Sequence, residues 1–186
     1  MTDREIISLC LTESTREQGF RHLVSTYTRK IYWHVRRMVN DHDDANDIVQ
    51  NCFIKAWKGL HHFREDSKLY TWLYRIATNE AITFLNDRHR KQVVPIDEVQ
   101  ESHDFETGTG SQQELWLDSE EIQDHLQAAI DGLPAKQKQV FVMRYYDEMK
   151  YEDMEEVLGT SMGALKASFH HAVKKIEIYL RQALNQ

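Results

Sequence analysis

Two apolar stripes at helical spacing, one after the other, constrain this chain more than any other feature. They lie in residues 44–80, DANDIVQNCFIKAWKGLHHFREDSKLYTWLYRIATNE, the second running on to Phe84. The first stripe is Ala45, Ile48, Val49, Cys52, Phe53, Ala56, Trp57 and Leu60. Intervals of three and four keep these residues on one face of a helix for about four turns. Asp44, Asp47, Asn51, Lys55 and Lys58 occupy the opposite face, acids first and bases last, as a helix dipole favours. A second helix is expected from near Ser67, its stripe being Leu69, Trp72, Leu73, Ile76 and Phe84. Tyr70 and Tyr74 then lie one turn apart on its other side, beside a row of Thr71, Arg75 and Asn79. Aromatics, hydroxyls, an arginine and an amide on a non-core face can stack bases and grip phosphates. The same spacing also suits an amphipathic helix whose tyrosines cover the edge of a core.

Two prolines and seven glycines in 186 residues leave helical runs unbroken, and β-branched alternation is nearly absent. The fold class is all-α, and the length allows two small helical domains. MTDREIISLCL reads as a short amphipathic helix, too charged for an export signal. Ser14 or Thr15 can cap a long helix to about Asn40, striped by Phe20, Leu23, Val24, Tyr27, Ile31, Val35 and Met38. NDHDD breaks that helix and caps the next. Arg88, His89, Arg90 and Lys91 close the organising stretch with a basic cluster.

The net charge of −7 conceals a partition. Residues 20–92 carry +5, whereas 93–121 hold no Lys or Arg and nine acids. That acidic stretch, with Pro95, Gly108 and Gly110, reads as an extended, flexible linker over 93–118. Asp118 and Glu121 form a capping box for a helix carrying Ile122, Leu126 and Ile130. Gly132-Leu133-Pro134 ends it and starts another, in which Val140, Phe141 and Tyr145 are expected to face inward. A short helix at Tyr151–Leu158, Gly159 as its C-cap and Ser161 as the next N-cap follow. The last helix is striped by Met162, Leu165, Phe169, Ala172, Val173, Ile176 and Leu180. Short helix, glycine turn and longer helix with an exposed start make a helix-turn-helix, although a hairpin within a bundle has the same pattern.

The run from DANDIVQ to NDRHRK closely resembles region two of bacterial sigma factors of the extracytoplasmic-function (ECF) group. LPAKQKQVFVMRYYDEMKYEDMEEVLGTSMGALKASFHHAVKKI resembles sigma region four. The resemblance implies domains at 1–92 and 119–186, joined by the linker, which in the family lies near the RNA exit path of the polymerase. It also implies core RNA polymerase and promoter DNA as partners, along with an anti-sigma factor. Asp44, Asp47, Gln50, Asn51, Phe53 and Lys55 would meet the clamp helices of the largest polymerase subunit, and region four the flap. Phe63, Arg64, Ser67, Lys68, Tyr70, Thr71, Trp72, Arg75, Asn79, Arg88 and Arg90 would read the minus-ten element and trap a flipped base. Ser161, Gly163, Lys166, Ser168, His170, His171 and Lys174 would face the minus-thirty-five element. Ala164, Ala167, Ser168 and His171 stand where the family commonly has Thr, Ser, Arg and Arg. Two guanidiniums are therefore missing, and a histidine is charged only when protonated.

Other classes leave more unexplained. His42-Asp43 and His61-His62 invite a metal-hydrolase reading, but that chemistry needs ligands converging on one pocket. No H-E-x-x-H, phosphate loop or nucleophile elbow is present. No enzyme, metal or cofactor is expected. A DNA-binding regulator independent of polymerase would use the C-terminal helices but leave residues 44–80 without a role. Cys10 and Cys52 sit on apolar stripes without C-x-x-C spacing, as reduced core thiols of a cytoplasmic protein would. No apolar run approaches the ~18 residues of a membrane span.

Overall fold

The computed structural model describes residues 1–63, 67–92 and 119–184. The expected linker at 93–118, the cap residue Asp118 and Arg64 lie outside them, as do the side chains of Arg90 and Glu121. Helix α1, Asp3–Leu11, opens on a reciprocal cap. The Glu5 N–H donates to the Thr2 hydroxyl at 3.4 Å, and the Thr2 N–H donates to the Glu5 carboxylate at 2.7 Å. Those bonds satisfy two amides that the first turn would leave unpaired.

Helix α2, Arg16–Val39, follows a 3₁₀ turn at Glu13–Thr15. Thr15 stands at its N-cap, as the sequence suggests, but its hydroxyl donates back to the Leu9 carbonyl at 2.9 Å instead of capping. The α1–α2 hairpin is tightest at Gly19. A Cβ built there would lie 2.6 Å from the Cys10 nitrogen and 2.8 Å from the Leu9 carbonyl carbon. Backbone cannot retreat as a flexible side chain can. Gly19→Ala is expected to destabilise the fold by about 1–3 kcal/mol, the usual cost of overpacking. A chemical-denaturation midpoint no lower than wild type would contradict this packing.

Asn40 ends α2 in the left-handed region at φ 61°, and the Asp41 carboxylate accepts the Asp43 and Asp44 N–H groups at 2.9 Å each. NDHDD therefore breaks one helix and caps the next, as read from the sequence. Helix α3, His42–Gly59, passes through a 3₁₀ turn at Leu60–His62 to helix α4, Leu69–Gln92. The expected stripes are buried: Leu23, Tyr27, Ile31, Val35 and Met38 of α2, Ala45 to Ala56 of α3, and Leu69 and Leu73 of α4. Cys10 and Cys52 are both buried free thiols, and burial pushes the Cys52 thiol up to about 12.

The second half holds α5, Ser119–Asp131; α6, Ala135–Phe141; α7, Tyr151–Leu158; and α8, Met162–Ala183. Gly159 takes the left-handed C-cap at φ 61°, and Ser161 caps α8 through the Ala164 N–H. Tyr145 departs from expectation, being 55% exposed rather than inward. The cause is a π-helical turn at Val142–Tyr146 that extends α6. Its wider turn delays the rotation of the chain, so Val142 and Met143 take the inward positions and Tyr145 stacks outside on Phe141.

Two apolar clusters result. Ala129, Ile130, Leu133, Phe141, Ala172 and Ile176 form one inside the second half. Val140, Met143, Met149, Met154, Val157 and Leu165 instead join the core built by α1 to α4. The two halves thus share apolar interior, along a seam where α7 packs on α4 and the π-helical turn on α2.

Candidate functional site

Three surfaces carry the residues singled out in the sequence. On α3, Asp47, Gln50, Asn51 and Lys55 are exposed and Asp44 is half-buried. Successive steps of three and four put them on one flank of the helix. Asp44 accepts from Arg88 at 2.9 Å, and Lys55 is paired with Glu80, so α4 braces both ends of the flank. Asp47 has no hydrogen-bond or ion-pair partner among the described residues. Phe53 does not belong to this flank. It is buried, edge-on to Phe20, because it lies on the apolar stripe and supports the helix from beneath.

On α4 the expected face divides. Arg75 and Asn79 are exposed one turn apart, and Ser67 and Tyr70 are half-buried. Trp72 wedges between the Phe63 ring, 5.2 Å away, and Gly59, so it is partly structural, and Phe63 itself is buried. Thr71 and Tyr74, placed by the sequence on the outward side, are 2% and 3% exposed. Burial raises the phenols of Tyr70 and Tyr74, whose rings meet edge-on at 5.0 Å, well above their ordinary range. Arg88 is the other departure: its pairing with Asp44 ties it to the α3 flank rather than to the Arg75–Asn79 row.

Covering comes from the second half. Lys68 donates to both Asp153 oxygens, at 2.8 and 3.1 Å, and that bond raises the Lys68 ammonium above its usual range. His34 is wholly buried, with Nδ1 2.7 Å from Asp147 Oδ2 and Nε2 2.9 Å from Thr78 Oγ1. Arg37 lies 3.7 Å from the other Asp147 oxygen and stacks over Tyr146 at 4.3 Å. Asn40 donates to Asp131 at 2.5 Å. Burial raises the Asp131 carboxyl, but bonds from Lys138 and Asn40 outweigh it and hold the group below its usual range. The sequence reading missed His34, Asp147 and Asp153. His34 did leave a signal, lying three residues beyond Ile31 on the inward side of α2.

The third surface is the start of α8. Ser161, Gly163, Lys166, His170, His171 and Lys174 are exposed and Ser168 half-buried, and the space around Gly163 is open. Lys166 lies over the Tyr151 ring at 5.6 Å, which links the α8 start to α7. His42 and the His61-His62 pair do not converge. His42 bonds Tyr32 and Asn46, while His61 and His62 are exposed in the 3₁₀ turn. Among the described residues no group of three or more His, Cys, Asp or Glu could hold a metal ion, and no helix is long and apolar enough to cross a membrane.

Comparison with known proteins adds identity to this geometry. The family model for Sigma-70 region 2 matches residues 23–91, and that for Sigma-70, region 4 matches residues 123–176. The RNA polymerase sigma-H factor of Pseudomonas aeruginosa is 32% identical over 177 residues, covering 91% of this chain and 90% of that protein. The ECF RNA polymerase sigma-E factor of Escherichia coli K12 is 32% identical over 165 residues, covering 87% and 86%. Two solved structures share the fold. CnrH in complex with the cytosolic domain of CnrY superposes with a TM-score of 0.69 at 20% identity, covering 97% of each chain. The sigma factor RpoE in complex with the anti-sigma factor NepR, from Bartonella quintana, gives 0.66 at 22% identity, covering 88% of this chain and 98% of that one.

Proposed function

The chain belongs to the bacterial sigma factors of the ECF group and acts in transcription initiation, and from that premise we propose how it divides the work. Residues 1–92 bind core RNA polymerase and the minus-ten element, 119–186 bind the polymerase flap and the minus-thirty-five element, and 93–118 connect them. The protein works in the cytoplasm, where its polymerase is. The α3 flank from Asp44 to Lys55 docks on the clamp helices. The α4 row receives the non-template strand and promotes melting by holding a base out of the stack, a cost of a few kcal/mol that stacking and edge hydrogen bonds offset.

The observation that carries this reading is the adjacency of the two surfaces. Asp44 and Lys55 on α3 are each ion-paired to α4, so polymerase docking on one helix would set the position of the other. Pulldown with core polymerase, then transcription from a promoter library, tests it. Stoichiometric core binding with start sites at defined promoters is expected, and no core binding would overturn the proposal. Because RpoE and CnrH are seen bound to an anti-sigma factor and to a CnrY domain, we extend an anti-sigma partner to this chain.

The α8 surface allows a quantitative expectation. Lys166 and Lys174 are fixed cations among the residues singled out on this surface, and Ser168 and His171 stand where the family commonly has arginines. Ser168→Arg with His171→Arg should tighten binding to the upstream promoter element. The slope of log affinity against log salt should steepen by about 0.9 for each arginine that reaches a phosphate. Titration of a labelled duplex at several salt concentrations measures it. Parallel slopes for wild type and variant would mean that this side of α8 does not face DNA.

A further inference from the structure

Trp33 is 47% exposed, although α2 buries Leu23, Tyr27, Ile31, Val35 and Met38 on its other side. A tryptophan left half in water keeps a large apolar ring available for stacking. Its surroundings are chemically specific. The Arg37 guanidinium lies 5.7 Å from the centre of the Trp33 ring and 4.3 Å from that of Tyr146. Asp147 anchors the guanidinium from 3.7 Å. With Arg36, and with Gln127 and Asp131 of α5, these rings and Arg37 line a cleft of about 440 Å³. Small-ligand sites typically enclose ~300–1,000 Å³.

The cleft carries polar groups of both signs. Arg36 is half-buried, and its side chain has no hydrogen-bond or ion-pair partner among the described residues. Asp41 feels its charge only through space. A partly desolvated guanidinium without a carboxylate suits a phosphate, because its fork of donors matches two oxygens. Asp131 is the opposite case. Its Oδ1 accepts from Asn40, Gln127 and Lys138 at 2.5, 3.1 and 2.8 Å, and none of these bonds is to Oδ2. The second oxygen remains an acceptor for an N–H group.

We infer that this cleft binds a purine mononucleotide, with the base stacked on Trp33, the phosphates on Arg36 and an amino group of the base bonded to Asp131. Each contact removes a class of ligand. An inorganic anion leaves the indole unused, and an uncharged aromatic leaves Arg36 unpaired. A ring without N–H donors leaves Asp131 unmatched, whereas adenine and guanine each carry an exocyclic amine. A nucleic-acid strand fits less well. Strands are gripped by successive aromatic platforms along a groove, while this cleft offers a single indole between α2 and α5.

Isothermal titration of the full-length chain tests this, with ATP as the probe and adenosine and inorganic tripolyphosphate as its two parts. ATP should bind one to one and about tenfold tighter or more than either part, because stacking and phosphate contacts then act together. Trp33→Ala should weaken ATP and adenosine alike by about fivefold or more and leave tripolyphosphate unchanged. Trp33→Phe keeps a ring and should recover most of that loss. Arg36→Ala should weaken ATP and tripolyphosphate by about tenfold and leave adenosine unchanged. Arg21→Ala removes the same charge from an exposed position about four turns away and should change nothing.

No saturation by about 1 mM ATP would overturn the site. Tripolyphosphate binding as tightly as ATP would reduce the cleft to a patch of cations and overturn it too. Equal losses in Arg36→Ala and Arg21→Ala would have the same force, since the effect would then be one of net charge. Tighter binding of a short single-stranded RNA than of ATP would make the cleft a strand track and remove the mononucleotide.

Discussion

Asp47→Arg is expected to abolish stoichiometric binding to core RNA polymerase. Asp47 is exposed at the middle of the α3 flank, and none of the described residues pairs with it. Asp44, by contrast, is already bonded to Arg88. An acid with no internal partner at an interface is available to a cation on the other side. Removing one member of a desolvated charge pair costs roughly 2–5 kcal/mol, and reversal adds repulsion to that loss. Affinity should fall by about a hundredfold or more. The substitution lies on a solvated face, so helicity by circular dichroism should not change. Competition against a labelled wild-type sigma factor for limiting core measures the loss, and equal competition by the variant would remove α3 from the docking surface.

The second large effect is expected in promoter opening. Asn79→Ala and Tyr70→Ala, each assembled into holoenzyme, should slow open-complex formation about five- to a hundredfold. That range corresponds to ~1–3 kcal/mol, the worth of one base–aromatic contact. Closed-complex affinity should change much less, because duplex binding is dominated by phosphate contacts made elsewhere. Asn79 offers an exposed amide beside Arg75, and Tyr70 a half-buried ring set edge-on to Tyr74. Permanganate reactivity of the minus-ten thymines, followed in time, separates the two steps. Normal melting kinetics in both variants would show that another surface traps the base.

Much of this architecture is legible in the chain itself. The stripes of α2, α3 and α4 are buried where their spacing places them, because one helix face against one core is the arrangement periodicity encodes. Local punctuation was equally plain: Asp41, Gly159 and Ser161 cap the helices that they were expected to cap. Features created by long-range packing were not readable. Thr71 and Tyr74 look outward on α4 alone and become buried in a fold where α7 packs against that helix. Tyr145 fails for a different reason. A π-helical turn changes the rotation per residue, and no spacing rule built on 3.6 residues anticipates where Tyr145 will point. The exposure of the α3 flank was readable because it follows from helical spacing alone. His34 and Asp147 are 113 positions apart in sequence and meet only in the folded chain.

The seam between the halves is rich in one kind of side chain. Met143, Met149 and Met154 are all fully buried or nearly so, and all belong to the interior continuous with α1 to α4. Half of the chain's six methionines are therefore concentrated in the part of the second half that meets the first. Methionine is unbranched and polarizable, and it moulds to many shapes at small cost, unlike the branched side chains that fix Ile31 or Leu73 in one packing. An interior of that kind tolerates a change of neighbour. Plasticity at the seam, rather than tightness, is what its composition favours.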